Sequence, residues 1–142
     1  MAALTLTDIL ARFRVVLEAE PLNLKAANDA FSHARQPAGV LTDSYYLEDG
    51  GIASNRSVGN YDTVRLHRVV IYVARHLGMD SEAALASIAT TLTAIERALI
   101  GDGTNQSYQI APEVQQRITR PANADYAVGS LTLSADFDYD ES

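Results

Sequence analysis

The sequence has no cysteine, no tryptophan, three phenylalanines and four prolines in 142 residues, and Lys25 is its one lysine. Without cysteine there is no disulfide scaffold, no cysteine zinc site and no thiol nucleophile. No uninterrupted apolar run approaches the ~18 residues read as a membrane helix, so no membrane partner is expected. The opening MAALTLTDILARFRVV has no basic region ahead of its apolar residues and carries Arg12 and Arg14 within a helical periodicity, unlike a secretory leader. What is present is a folding composition: 47% hydrophobic, 20% charged, with a mean hydropathy of -0.05. A single domain over 1–142 is expected, since a chain of this length buries roughly 68–70% of its unfolded surface without help from a metal.

The net charge of -7 argues against non-specific nucleic-acid affinity, and it is unevenly spread. After Arg120 no basic residue follows, while Asp125, Asp136, Asp138, Asp140 and Glu141 are all acidic. Between Arg56 and His76 the balance reverses, with Arg56, Arg65, Arg68 and Arg75 set against Asp62 alone. Ten of the eleven cations are arginine, whose planar fork suits bidentate pairing with carboxylates, although GC-rich coding produces the same bias.

Periodicity predicts a helix over 7–20, with Thr7 as N-cap, Asp8 in the first turn and Ile9, Leu10, Phe13, Val16 and Leu17 on one face, stopped by Pro21. The stretch 22–41 reads as irregular. Ser44–Glu48 reads as a short aromatic strand, and the Gly-, Ser- and Asn-rich run at 50–62 as a long mobile loop or the tip of an extended hairpin. Thr63–Arg75 is β-branched and apolar on both faces from Val69 to Val73, as in a central strand. A second helix follows Asp80, with Leu85, Ile88, Leu92, Ile95 and Leu99 as its stripe and Gly101 as its C-cap.

Weaker strand signals occupy 108–120, and PANAD reads as a turn. From Ser130 to Asp140 alternation is strict: Leu131, Leu133, Ala135, Phe137 and Tyr139 form the core face, and Ser130, Thr132, Ser134, Asp136, Asp138 and Asp140 the wet one. The predicted fold class is α+β, a mostly antiparallel sheet of about four strands with helices on one face, in the order α-β-β-α-β-β.

No catalytic constellation emerges. His33, His67 and His76 lack metal-ligand spacing, and the latter two read as strand histidines, hydrogen-bonded or solvated. No GxSxG elbow exists. GDGTN at 101–105 follows a helix instead of opening one, so it reads as a helix stop and not a phosphate loop. The acids at 136–141 lack the glycine and the later glutamate of a calcium loop and read as a solvated strand face. Catalytic, cofactor and metal residues are therefore expected to be none.

As a whole the order of elements resembles the tail terminator, or tail completion, proteins of long-tailed bacteriophages. The resemblance rests on the amphipathic opening helix, YYLEDGG running into a polar hairpin tip, and RLHRVVIYVARH as a long central strand. It extends to DSEAALASIATTLTAIERALIGDG as the sheet-covering helix and VGSLTLSADFDYDES as the acidic final strand. It covers nearly the whole chain, apart from 22–41, by pattern and order.

It implies a non-enzymatic virion protein, made in the host cytoplasm, forming a homo-oligomeric ring, a hexamer by family resemblance. Such a ring caps the tail tube protein and meets head-tail connector or neck proteins, with DNA passing through and no cofactor. On that reading Arg56, Arg65, Arg68 and Arg75 are interface candidates, and Asp136 and Asp138 face either the channel or the outer solvent. The alternatives are another phage neck or tail component, or a small ligand-binding or enzymatic α+β domain with a site built from Arg65, His67, His76 and tyrosines.

Overall fold

The structure, a computed structural model, describes residues 6–20, 22–27, 44–58, 62–77, 81–106, 109–110, 115–120 and 126–139. The side chains at 52–58, 62–66, 103–106, 109–110 and 136–139 lie outside that description. The elements run α1 (Leu6–Glu18), β1 (Lys25–Ala26), β2 (Ser44–Val58), β3 (Asp62–His76), α2 (Ser81–Gln106), β4 (Gln109–Ile110), β5 (Gln115–Thr119) and β6 (Tyr126–Tyr139). The class is α+β, as expected, but the sheet is mixed and larger than four strands. Six segments make it five strands wide in the order β1-β2-β3-β6-β4, with β5 sharing the β6 edge with β4. β1 lies inside the stretch read as irregular and pairs parallel to β2, Lys25 opposite Ser44; two residues carry no periodicity to read.

α1 buries Ile9, Phe13 and Leu17, one residue per turn, with Leu10 and Val16 packed beside them. Its exit is closed by the backbone: Asn23 N–H donates to Ala19 O at 2.9 Å and Leu24 N–H to Leu17 O at 2.9 Å. Asn23 holds φ at 50°, a left-handed conformation that asparagine tolerates. α2 lies on the same sheet face and buries Ala84, Ile88, Leu92, Ile95 and Leu99 against Val69, Ile71, Val73, Ala127, Leu131, Leu133 and Ala135. Each large apolar side chain so buried contributes about 1.5–3 kcal/mol. The closest approach is at Gly129, where an added Cβ would stand 2.3 Å from Ile88 Cγ2 and 3.1 Å from Leu92 Cδ1.

The helix stop expected at Gly101 does not occur: α2 runs on to Gln106. The last turns are tied to α1 by Arg12, which grips Asp102 in a bidentate ion pair, Nη2 to Oδ1 at 2.7 Å and Nε to both carboxylate oxygens at 3.0 Å. A glycine inside a helix costs about 1 kcal/mol, which a partly buried pair of this geometry can offset.

The run at 50–62 is an extended hairpin, with β2 paired to β3 from Ser44/Ala74 to Val58/Asp62; residues 59–61 lie outside the described part. β3 pairs with β6 without interruption from Thr63/Tyr139 to His76/Tyr126. The final strand begins four residues earlier than the alternation suggested, and its second face is not uniformly wet. Ser130, expected on the wet side, is buried at 6% exposure. On that face Ala74 and Val128 are buried and Ala27, Tyr46, Tyr72 and Tyr126 pack on them. The core face is as read, with Leu131, Leu133 and Ala135 fully buried.

Candidate functional site

Two irregularities break the β2–β3 register, one between Asp49 and Gly51 and one between Ile52 and Ser54. Such bulges bend and twist the strand that carries the extra residue. At the first, Gly51 takes φ +85°, a conformation open to glycine, and its N–H donates to Asp49 Oδ1 at 2.8 Å. Gly50 lacks the Cβ that would stand 2.8 Å from Arg68 Cγ, so the arginine stem crosses the backbone there.

Asp49 pairs with Val69, which puts His67 diagonally across from it on the same sheet face, and the bulge at Gly50 follows directly. His67 Nε2 donates to the same Asp49 Oδ1 at 2.5 Å; the imidazole is buried, whereas the carboxylate is 54% exposed. The Gly51 N–H and then the His67 contact hold the Asp49 carboxyl below its usual range. The arrangement is a latch: a solvent-facing carboxylate pins a buried imidazole beside the rows Val69–Leu133 and His67–Ala135. The signal in the sequence was DGG after a strand, an aspartate placed to accept from the backbone two residues on.

Beyond the latch the strands continue. β2 runs from Gly50 to Val58, β3 occupies 62–66 and β6 occupies 136–139, all within the antiparallel ladders. Arg56, Val64 and Asp138 form one row across the three strands; Asn55, Arg65 and Phe137 form an adjacent row. Asp136 stands opposite Leu66 on one side and Gln109 on the other. Arg56 and Asp138 thus share a row, and Arg65 stands in the next one. The side chains of Arg56, Arg65, Asp136 and Asp138 lie outside the described part.

The remaining candidates scatter. Arg68 is exposed on the second face. Arg75 is half-buried and its Nη2 donates to Thr91 Oγ1 of α2 at 3.4 Å, within its own chain. His67 and His76 are nine positions apart on β3 and fall on opposite faces, so they do not share one site; His33 lies outside the described residues. On the second face the Tyr72 phenol donates to the Glu48 carboxylate, and burial first, then Glu48 and Tyr46, pushes its pKa up to about 12. Tyr45 faces the core with its hydroxyl buried and without a hydrogen-bond partner among the described residues; burial first and Glu18 second raise its pKa. Among the described residues no three His, Asp or Glu side chains gather as a metal site.

One feature was missed by inspection of apolar runs. α2 from Glu82 to Asp102 is long and apolar enough, by length and composition, to cross a membrane. Its alanines and threonines interrupt the run of large side chains without adding charge between Glu82 and Glu96.

No protein-family model matches the chain, and no curated protein matches it.

Proposed function

We propose that this chain is a structural subunit of a bacteriophage tail of the tail terminator kind, closing head-to-tail into a ring, a hexamer by that resemblance. The ring would cap the tail tube and meet the head-tail connector. The observation that carries the reading is the extended hairpin itself: β2 pairs with β3 from Ser44/Ala74 out to Val58/Asp62, and β6 follows β3 as far as Thr63/Tyr139. An arm of this length can reach a neighbouring subunit.

A heterologous contact needs two different complementary surfaces, which the arginine-bearing hairpin and the acidic end of the chain provide. Arg56, Arg65 and Arg68 are the cross-subunit candidates, while Arg75 is engaged by Thr91 of its own helix. Asp136 and Asp138 would line either the channel, where negative walls keep DNA phosphates from sticking, or the outer surface. No catalytic role or cofactor is assigned.

Electron microscopy of the purified protein should show closed rings, and the chain should co-purify with virions in a few fixed copies. A monomer at every concentration that is absent from purified particles would overturn the reading.

A further inference from the structure

The outer face of α2 is unlike that of an ordinary surface helix. Ala83, Ala86, Thr90 and Arg97 are exposed, Thr93 and Ala94 are half-buried between them, and Ile100 is 48% exposed. No charge interrupts the helix between Glu82 and Glu96. A depression of about 330 Å³ runs along this face, lined by Ala89, Thr90, Thr93, Ala94 and Arg97. A helix apolar all round is ordinarily covered all round, and the chain's own sheet covers one side of this one.

At the two ends of the face stand Glu82 and Arg97, both exposed and neither ion-paired among the described residues. Their spacing makes the face self-complementary. Laid antiparallel on a second copy about a two-fold axis between Ala89 and Thr90, the helix sets Glu82 against Arg97 of the other copy and Arg97 against its Glu82. The same register sets Ala86 against Thr93, and Ala89 against Thr90, on both sides of the axis. The positions 82, 86, 89, 93, 97 and 100 keep the three- and four-residue spacings of a helix-helix seam. The small side chains allow the close end of the 8–10 Å range of axis separations. The dipole adds to the fit at the glutamate, which lies in the first turn of its helix.

We infer that the outer face of α2 is an isologous interface, on which a second copy of this chain docks its own α2 antiparallel, with reciprocal Glu82–Arg97 pairs. The inference does not rest on the tail reading: if rings form, the contact joins two rings, and if they do not, it joins two chains.

The protein contains no cysteine, so single cysteines report the register directly. In the full chain under mild oxidation, Thr90→Cys beside the axis should give a cross-linked dimer. Ala83→Cys should not, because its copy lies roughly 20 Å away along the helix, at 1.5 Å per residue. By sedimentation equilibrium, Ala86→Arg, Glu82→Arg and Arg97→Glu should each halve the mass of the native assembly, and the double variant Glu82→Arg/Arg97→Glu should restore it. Failure of Thr90→Cys to cross-link, equal cross-linking at both positions, or a double variant that stays divided would overturn the contact. So would a native monomer that floats with phosphatidylcholine vesicles, which would assign the face to lipid. A ring whose mass none of these changes alters would leave the tail reading standing and remove this one; a plain native dimer that divides would do the reverse.

Discussion

At one end of the β2–β3–β6 ladder two helices lie across the sheet, and its rows are buried side chains from three strands and α2. At the other end the same strands keep the same pairing out to Val58/Asp62 and Thr63/Tyr139. Fifteen residues of β3 span roughly 50 Å at about 3.3 Å each. The helix-covered end holds the fold together, and the proposed contact with a neighbouring subunit would fall at the far one.

The first way to break the comparison is at the tightest point of the covered end. Gly129→Val puts a branched side chain where even a Cβ would stand 2.3 Å from Ile88 Cγ2. It should push α2 off the sheet and cost about 3 kcal/mol or more, read by urea denaturation, with Gly129→Ala costing less. A loss within experimental error would mean that α2 does not anchor this end.

Next is Asp102→Ala. It removes the carboxylate gripped by Arg12 and should cost about 1–2 kcal/mol, since Arg12 is partly exposed and can rehydrate. Helical circular dichroism should fall as well, because the helix would then end near Gly101.

A smaller effect has the opposite sign. Tyr45→Phe deletes a buried hydroxyl without a partner among the described residues and keeps the ring, so it should leave stability unchanged or raise it by about 1 kcal/mol. Marked destabilisation would reveal a hydrogen bond that the core depends on.

These substitutions also mark what could be read from the sequence. The stripes of α1 and α2 and the core face of β6 at 131–135 were legible because burial repeats at the period of the element. Four features were not, and each depends on a partner remote in sequence. β2 continues through GGIASNRSV, a run with no strand propensity of its own, because β3 pairs with it. α2 passes Gly101, where Arg12 holds Asp102 from ninety residues away. Ser130 is buried on a face that alternation makes wet, because tyrosines from β2, β3 and β6 cover that end of the second face. Of the candidate site, the histidines and arginines were visible as residues, but the Asp49–His67 latch depends on the register of β2 against β3, which neither strand shows alone.

The smallest effect belongs to the tyrosine face. The Tyr72 pKa is raised in the folded state to about 12 from its ordinary value of 10.0. Folding therefore favours its protonated form: the associated stability is fully present below pH 10 and is lost as the pH rises toward about 12. Glu48→Gln should move the Tyr72 transition down toward 10 in an ultraviolet difference titration against Tyr72→Phe. An unmoved transition would assign the whole shift to burial.

The contrast between the two ends of the ladder is tested most directly by amide hydrogen exchange in dilute and assembled protein. In dilute protein the amides at 52–58 and 62–66 should exchange much faster than those at 69–76, and on assembly the two sets should become comparably slow. Equal protection of both ends in a dilute monomer would show that the far end is complete within one subunit, and would contradict the proposal that a neighbouring copy covers it.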